Sequence, residues 1–202
     1  LVVVSAGGGA DGYQLTRTYL EGVSRNACAF DSAVVSGPEM PAAQQAELAV
    51  LAAGRPNVKV TDFADDMLSL LNAADLAVSM GGYNTVCELL TLRKRAVVVP
   101  RVRPVQEQWM RAERMAARGL MRVVHPDALT PEALLAAVRE ELALAGRENS
   151  ALERFEMTGL PRVNAALAEL LESRESIRVP APNPANQARR RPVADRRALV
   201  AA

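Results

Sequence analysis

Six short, valine-rich apolar runs, at residues 1–5, 32–36, 58–61, 76–79, 96–99 and 121–124, punctuate this chain. Each is bounded by Gly, Pro, Asn or Asp, the residues that end strands. Helical patterns fill the intervals at about 12–24, 41–53, 65–73, 83–92, 105–118 and 131–144. Several carry start signals. Thr130-Pro131-Glu132 offers an N-cap followed by a first-turn proline, and Asp65 or Asp66 can cap the third helix. Strands that alternate with helices predict an α/β fold: a Rossmann-like parallel sheet of about six strands with helices on both faces. In such a sheet ligands bind beyond the carboxyl ends of the strands, which directs attention to the loops there.

Half of the 202 residues are hydrophobic, yet only three Phe, three Tyr and one Trp are present, so the core must be aliphatic. Asp75 interrupts the longest apolar candidate, and no run reaches bilayer length. Cys28 and Cys87 form no disulfide framework or metal spacing, which suits a reducing, cytoplasmic compartment. Leu1 is not methionine and falls directly on a strand with no leader before it, so the chain is expected to continue upstream. Residues 1–173 are expected to form the folded domain. From Arg174 on, Arg178, Arg189, Arg190, Arg191, Arg196 and Arg197 stand among prolines against Glu175 and Asp195, the composition of a disordered Arg/Pro/Ala-rich tail over 174–202. No aromatic accompanies these arginines, so the tail is read as a solvated extension without a nucleic-acid partner.

The stretch Met80-Gly81-Gly82-Tyr83-Asn84-Thr85-Val86-Cys87-Glu88 carries the most chemistry. Two glycines stand where an apolar strand meets a helix. The first N–H groups of a helix lack internal partners, the dipole is positive there, and glycines admit an anion close to the backbone. Glu88, one turn further, can accept hydrogen bonds from two neighbouring sugar hydroxyls. Phosphate beside sugar points to a nucleotide sugar. Plainer roles stand beside these: Asn84 and Thr85 as helix caps, and Glu88 as a solvent-facing glutamate.

A second glycine-rich turn, Ser5-Ala6-Gly7-Gly8-Gly9-Ala10-Asp11-Gly12, comes after the first strand. Gly7, Gly9 and Gly12 fit the dinucleotide pattern G-x-G-x-x-G, which keeps an NAD(P)-dependent oxidoreductase domain open as an alternative. That pattern also asks for an acid at the end of the second strand, where the chain reads Val35-Ser36-Gly37-Pro38. A Rossmann-like interaction scaffold without a ligand is the other alternative.

With both loops in view, residues 2–144 resemble the C-terminal, donor-binding half of a GT-B glycosyltransferase of family 28. The resemblance rests on the loop 7–12, on Val60-Thr61-Asp62-Phe63-Ala64-Asp65-Asp66-Met67, on Ala74-Asp75-Leu76 leading into the 81–88 segment, and on Pro100 followed by Gln106-Glu107-Gln108 and Arg111-Ala112. It implies a hexosyltransferase that takes its sugar from a UDP-sugar, with inversion. Donor contacts would then fall on Gly8 and Gly9 of the first loop, on Phe63 and Ala64 against the base, and on Gly82, Tyr83, Asn84 and Thr85 at the phosphates. Glu88 would hold the ribose, and Glu107 and Gln108 would read the donor-sugar hydroxyls. Glu107 departs from the family's N-acetylglucosaminyltransferases, which carry glutamine there, and this leaves the sugar open. Phe63 reads equally well as a core residue, and Arg101 and Arg103 as loop charges or as partners of a diphosphate.

The chain contains no Asp-x-Asp and Asp65-Asp66 reads as a helix start, so no metal or other cofactor is expected, and a helix N-terminus would carry the leaving-group charge. The only histidine, His125, lies beside Pro126 and is read as structural; Cys87 lacks a histidine partner and is read as a packed thiol. No general base is identified. The resemblance implies that the base, the acceptor site and any peripheral membrane contact belong to an N-terminal domain of the same enzyme, and that residues 163–171 form part of the closing helices.

Overall fold

The computed structural model describes residues 1–175 and divides the chain into two units, residues 1–156 and the segment from Met157 onward. In the first, six strands alternate with helices: β1 (Val2–Ser5), α1 (Tyr13–Arg25), β2 (Ser32–Val35), α2 (Ala42–Ala52), β3 (Val58–Thr61), α3 (Met67–Ala73), β4 (Leu76–Ser79), α4 (Tyr83–Thr91), β5 (Ala96–Val98), α5 (Glu107–Ala116), β6 (Arg122–Val123), α6 (Pro131–Leu142) and α7 (Ser150–Glu153). The second unit contributes α8 (Gly159–Glu175), which covers the 163–171 stretch. The Arg/Pro/Ala-rich segment beyond it lies outside the described residues.

All strand pairs are parallel and the order is β3-β2-β1-β4-β5-β6, so the expected Rossmann-like sheet is present. The chain builds outward from β1 to β3 and then crosses back to place β4 on the other side of β1. That reversal makes the carboxyl ends of β1 and β4 the switch point, where the helices after them diverge and leave a crevice. Ser5 and Ser79 sit opposite each other in register there.

Successive residues of a strand face opposite sides of the sheet, and both sides are covered. Val2, Val4, Val34, Val78 and Val97 pack with Leu15, Leu20, Leu48, Leu134 and Val138 from α1, α2 and α6. Val3, Ala77, Ala96 and Val98 pack on the other face with Leu71, Val86, Leu89, Leu90 and Ala112 from α3, α4 and α5. This is the aliphatic core that the scarcity of aromatics implies. The one large aromatic buried within it, Tyr19, has its hydroxyl 2.8 Å from Ser32 Oγ, and burial raises its pKa above the ordinary tyrosine value.

Side-chain caps fix two helix starts as the sequence indicates. Asp66 accepts from the Ser69 N–H at 2.9 Å, and hydrogen bonding to Ser69 holds its carboxyl below the usual range; Thr130 accepts from the Ala133 N–H at 3.1 Å ahead of Pro131. Leu134, on α6, is fully buried against the sheet in the cluster that α1 and α2 share. Leu134→Ala is expected to lose about 2–5 kcal/mol in urea unfolding; a loss under about 1 kcal/mol would show that α6 does not close this face of the core.

Candidate functional site

The two glycine turns leave adjacent strands at the same end of the sheet and are built alike. The Gly7 N–H donates to Ser5 Oγ at 3.3 Å, and the Gly81 N–H donates to Ser79 Oγ at 3.2 Å. Gly7 has φ +66° and Gly81 φ +68°, a backbone region that residues with a Cβ rarely adopt. At Gly81 space adds to the requirement, because a Cβ there would lie 2.6 Å from Val98 Cγ1. A serine at the strand end and a left-handed glycine two residues on thus turn each chain sharply over the sheet edge.

After β4 the turn delivers Gly82 as the N-cap of the nine-residue α4, and no side chain caps it. The N–H groups of Tyr83, Asn84 and Thr85 head this helix without a side-chain acceptor, so the plain role of Asn84 and Thr85 as caps does not apply. Gly82 has open space where a Cβ would stand. Asn84 is exposed and Thr85 half-buried. Glu88 comes after them at helical spacing on the same side of α4. It is half-buried, and its carboxylate has no hydrogen-bond or ion-pair partner among the described residues.

Arg111, on α5, holds this turn from the outside. Its guanidinium is only 15% exposed, donates to the Gly81 carbonyl at 3.1 Å, pairs with Glu107, and lies 5.3 Å over the Tyr83 ring. A peptide group's C=O and N–H point in opposite directions, so fixing the Gly81 carbonyl on Arg111 sends the Gly82 N–H the other way. Gln108 acts in the neighbouring loop: its Oε1 accepts from the Arg101 N–H at 3.1 Å, which leaves its Nε2 amide to donate elsewhere. Glu107, exposed at the start of α5, pairs with Arg111 one turn along.

The β1–α1 loop is braced by its neighbour. Gly8 is exposed and its carbonyl accepts from the Glu39 N–H at 2.8 Å; Gly9 is buried, and a Cβ on it would fall 2.5 Å from the Ser36 carbonyl oxygen. A Cβ on Gly12 would fall 2.2 Å from that of Ala6. The second and third glycines of the dinucleotide-like pattern are therefore occupied with packing against protein. Phe63 and Ala64 lie after β3 in the loop that opens α3; Phe63 is 57% exposed, which excludes its reading as a core residue.

Other residues have local structural work. His125 Nδ1 accepts from the Asp127 N–H at 3.1 Å, and its ring meets Trp109 edge-on with centroids 4.6 Å apart. Cys87 is a half-buried free thiol. No group of three or more His, Cys, Asp or Glu is arranged to hold a metal among the described residues, and none of their helices is long and apolar enough to cross a membrane.

The sequence left two contributors unassigned. The i, i+4 spacing of Glu107 and Arg111 signals their ion pair, but nothing in it shows that Arg111 reaches Gly81. Asp11 was legible only as a loop residue; in the structure it accepts from Arg101 Nη1 at 2.7 Å.

A β3-β2-β1-β4-β5-β6 parallel sheet with two glycine turns at its switch point defines a Rossmann-like domain. The family model of the glycosyltransferase family 28 C-terminal domain matches residues 5–158, and the chain belongs to that family. It is 30% identical over 115 residues to the UDP-N-acetylglucosamine--N-acetylmuramyl-(pentapeptide) pyrophosphoryl-undecaprenol N-acetylglucosamine transferase of Agrobacterium fabrum, covering 56% of this chain and 30% of that one. An uncharacterised glycosyltransferase of Methanopyrus kandleri is 28% identical over 142 residues, 70% of this chain and 38% of its own length. The chain thus spans little more than a third of these relatives at most. The crystal structure of Acinetobacter baumannii MurG superposes with a TM-score of 0.67 at 22% identity, over 84% of this chain and 49% of that one. The glycosyltransferase VinC, solved in complex with dTDP, gives 0.59 at 21% identity, over 85% and 41%. These likenesses establish the GT-B C-terminal fold, and nothing among them supports the oxidoreductase alternative.

The two glycines of the β4–α4 turn should respond differently to a methyl group. Gly81→Ala meets both a left-handed φ and Val98, and is expected to cost at least about 2 kcal/mol in urea unfolding. Gly82→Ala, with open space and a negative φ, should cost less than about 1 kcal/mol. Equal losses would contradict the described turn.

Proposed function

We propose that this chain is the donor-binding domain of a hexosyltransferase that moves a sugar from a UDP-sugar to an acceptor hydroxyl with inversion. The observation that carries the reading is the pairing of an uncapped, glycine-bounded N-terminus of α4 with the partnerless carboxylate of Glu88 one turn along the same helix. The amide donors suit phosphate oxygens, and Glu88 suits the two hydroxyls of a ribose. Gly8 and Gly9 border the phosphates from the β1 side. Phe63 offers an exposed ring, and Ala64 backbone groups, to a uracil.

Sugar transfer breaks the bond between the anomeric carbon and the diphosphate while the acceptor oxygen forms its bond from the opposite face. Negative charge grows on the departing diphosphate. Fixed N–H groups at Gly82, Tyr83, Asn84 and Thr85 stabilise that charge without reorganising as the reaction proceeds. In this reading no metal is required: Asp66, one member of the only adjacent aspartate pair, is engaged in capping α3. Gln108 Nε2 donates to a hydroxyl of the donor sugar. Glu107 keeps Arg111 in place and accepts from another hydroxyl with the oxygen that the ion pair leaves over. The acceptor and the base that removes its proton come from an N-terminal domain of the same enzyme. The unpaired Cys28 and Cys87 fit a cytoplasmic setting for it.

Calorimetric titration tests the donor site directly. UDP should bind, and Glu88→Ala should weaken it about tenfold or more through lost charge-assisted hydrogen bonds to ribose. Uracil binding should be unaffected. Equal weakening of UDP and uracil would remove the ribose role, and no heat with UDP would favour an interaction scaffold without a ligand.

A further inference from the structure

Three loops line the switch point, and an ion pair joins the outer two. Asp11 belongs to the β1–α1 loop and Arg101 to the β5–α5 loop, with Arg101 Nη1 2.7 Å from Asp11 Oδ2. Because β4 lies between β1 and β5 in the sheet, this pair connects the loops on either side of the β4–α4 turn. It brackets the uncapped N-terminus of α4.

The two guanidinium groups near that turn are held very differently. Arg111 is 15% exposed and engaged with a carbonyl, a carboxylate and an aromatic ring, so moving it would leave the Gly81 carbonyl without its donor. Arg101 has only Asp11, and both side chains are nearly half exposed, at 44% and 46%. An exposed pair of this kind exchanges partners at little cost, because water and salt already screen it. The main chain of Arg101 stays anchored meanwhile by its N–H bond to Gln108 Oε1.

Charge balance shows what such an exchange accomplishes. A helix N-terminus supplies only about half a positive charge, whereas a nucleoside diphosphate brings full negative charges and gains more as the sugar leaves. Asp11 alone at this edge would oppose the ligand. Paired with Arg101, it is neutralised in the empty site, and the same pair keeps a full cation in the loop beside the β4–α4 turn.

We propose that Arg101 is a transferable cation: it pairs with Asp11 while the donor site is empty and passes to the diphosphate when nucleotide binds, leaving Asp11 to water. Asp11 is then a competitor that tempers nucleotide affinity, and Arg101 the residue whose charge distinguishes a diphosphate from a bare nucleoside. This rests on the donor-site reading of the β4–α4 turn.

A double-mutant cycle in the 202-residue chain, with UDP and uridine as probes at low salt, tests it. Arg101→Met should weaken UDP about tenfold and leave uridine unchanged. Asp11→Asn should strengthen UDP by about two- to fivefold, the range set by an exposed ion pair, again without effect on uridine. In the Arg101→Met background the Asp11→Asn gain should be clearly smaller, since the competition for Arg101 has gone and only the direct repulsion of the ligand by Asp11 remains to be relieved. An Asp11→Asn gain of equal size in both backgrounds would reduce Asp11 to a distant repulsive charge and overturn the transfer. A matching change in uridine affinity would reduce the pair to a loop brace and do the same. Failure of the unsubstituted chain to bind UDP would instead overturn the donor-site reading, and this proposal with it.

Discussion

The parallel pairing of β1 with β4 is the contact from which the site arises. Those strands are far apart in sequence, with β2 and β3 between them along the chain, yet Val2 to Ser5 run in register with Leu76 to Ser79. Side-by-side pairing places two serine-glycine turns together at one edge. Each turn needs its glycine in a left-handed conformation, and the serine hydroxyl accepts the glycine N–H, so the backbone leaves the sheet with its early hydrogen bonds satisfied. Beyond β4 the situation changes, because the first N–H groups of α4 have no side-chain acceptor. Such a deficit is tolerable facing water and productive facing an anion.

Packing on the α3, α4 and α5 face gives that deficit a fixed direction. Val98 fills the space where Gly81 would otherwise carry a Cβ, and Val86, Leu89 and Leu90 hold α4 onto the sheet. Arg111 takes the Gly81 carbonyl from behind and stacks on Tyr83. The turn is thereby determined from the core side, from α5 and from the strand beneath it, which is how a binding loop is kept rigid before its ligand arrives. The β1–α1 loop gains its rigidity from the β2–α2 loop: a Cβ on Gly9 would collide with the Ser36 and Gly37 backbone, and a Cβ on Gly37 with that of Gly7 and Gly8.

Strand and helix positions were legible in the sequence because apolar runs, glycines and caps act locally. Thr130-Pro131 and Asp66 start helices for reasons contained within one turn of chain. Boundaries shifted where nothing local marks an end, as at β6, where the run 121–124 pairs only through Arg122 and Val123. The glycine pattern at 7–12 shows the limit of such reading. Its residues fit a dinucleotide turn as well as they fit a loop packed on β2–α2, and only contact with Ser36 and Gly37 distinguishes the two. The same holds for the charges. Arg101 and Arg103 looked alike in sequence, but Arg101 meets Asp11 across the sheet edge. Relations between loops this distant in sequence arise from strand order, and no local pattern encodes strand order.

A donor site built on this turn requires that the amide groups heading α4 receive a phosphate. Backbone amide resonances tracked by two-dimensional nuclear magnetic resonance during UDP titration examine those groups individually. The amides of Gly82, Tyr83, Asn84 and Thr85 should show the largest movements, downfield as they donate to phosphate oxygen, with Gly8 and Gly9 next. Saturable UDP binding that leaves those four amides in place, with the largest movements on α2 or α6, would contradict it.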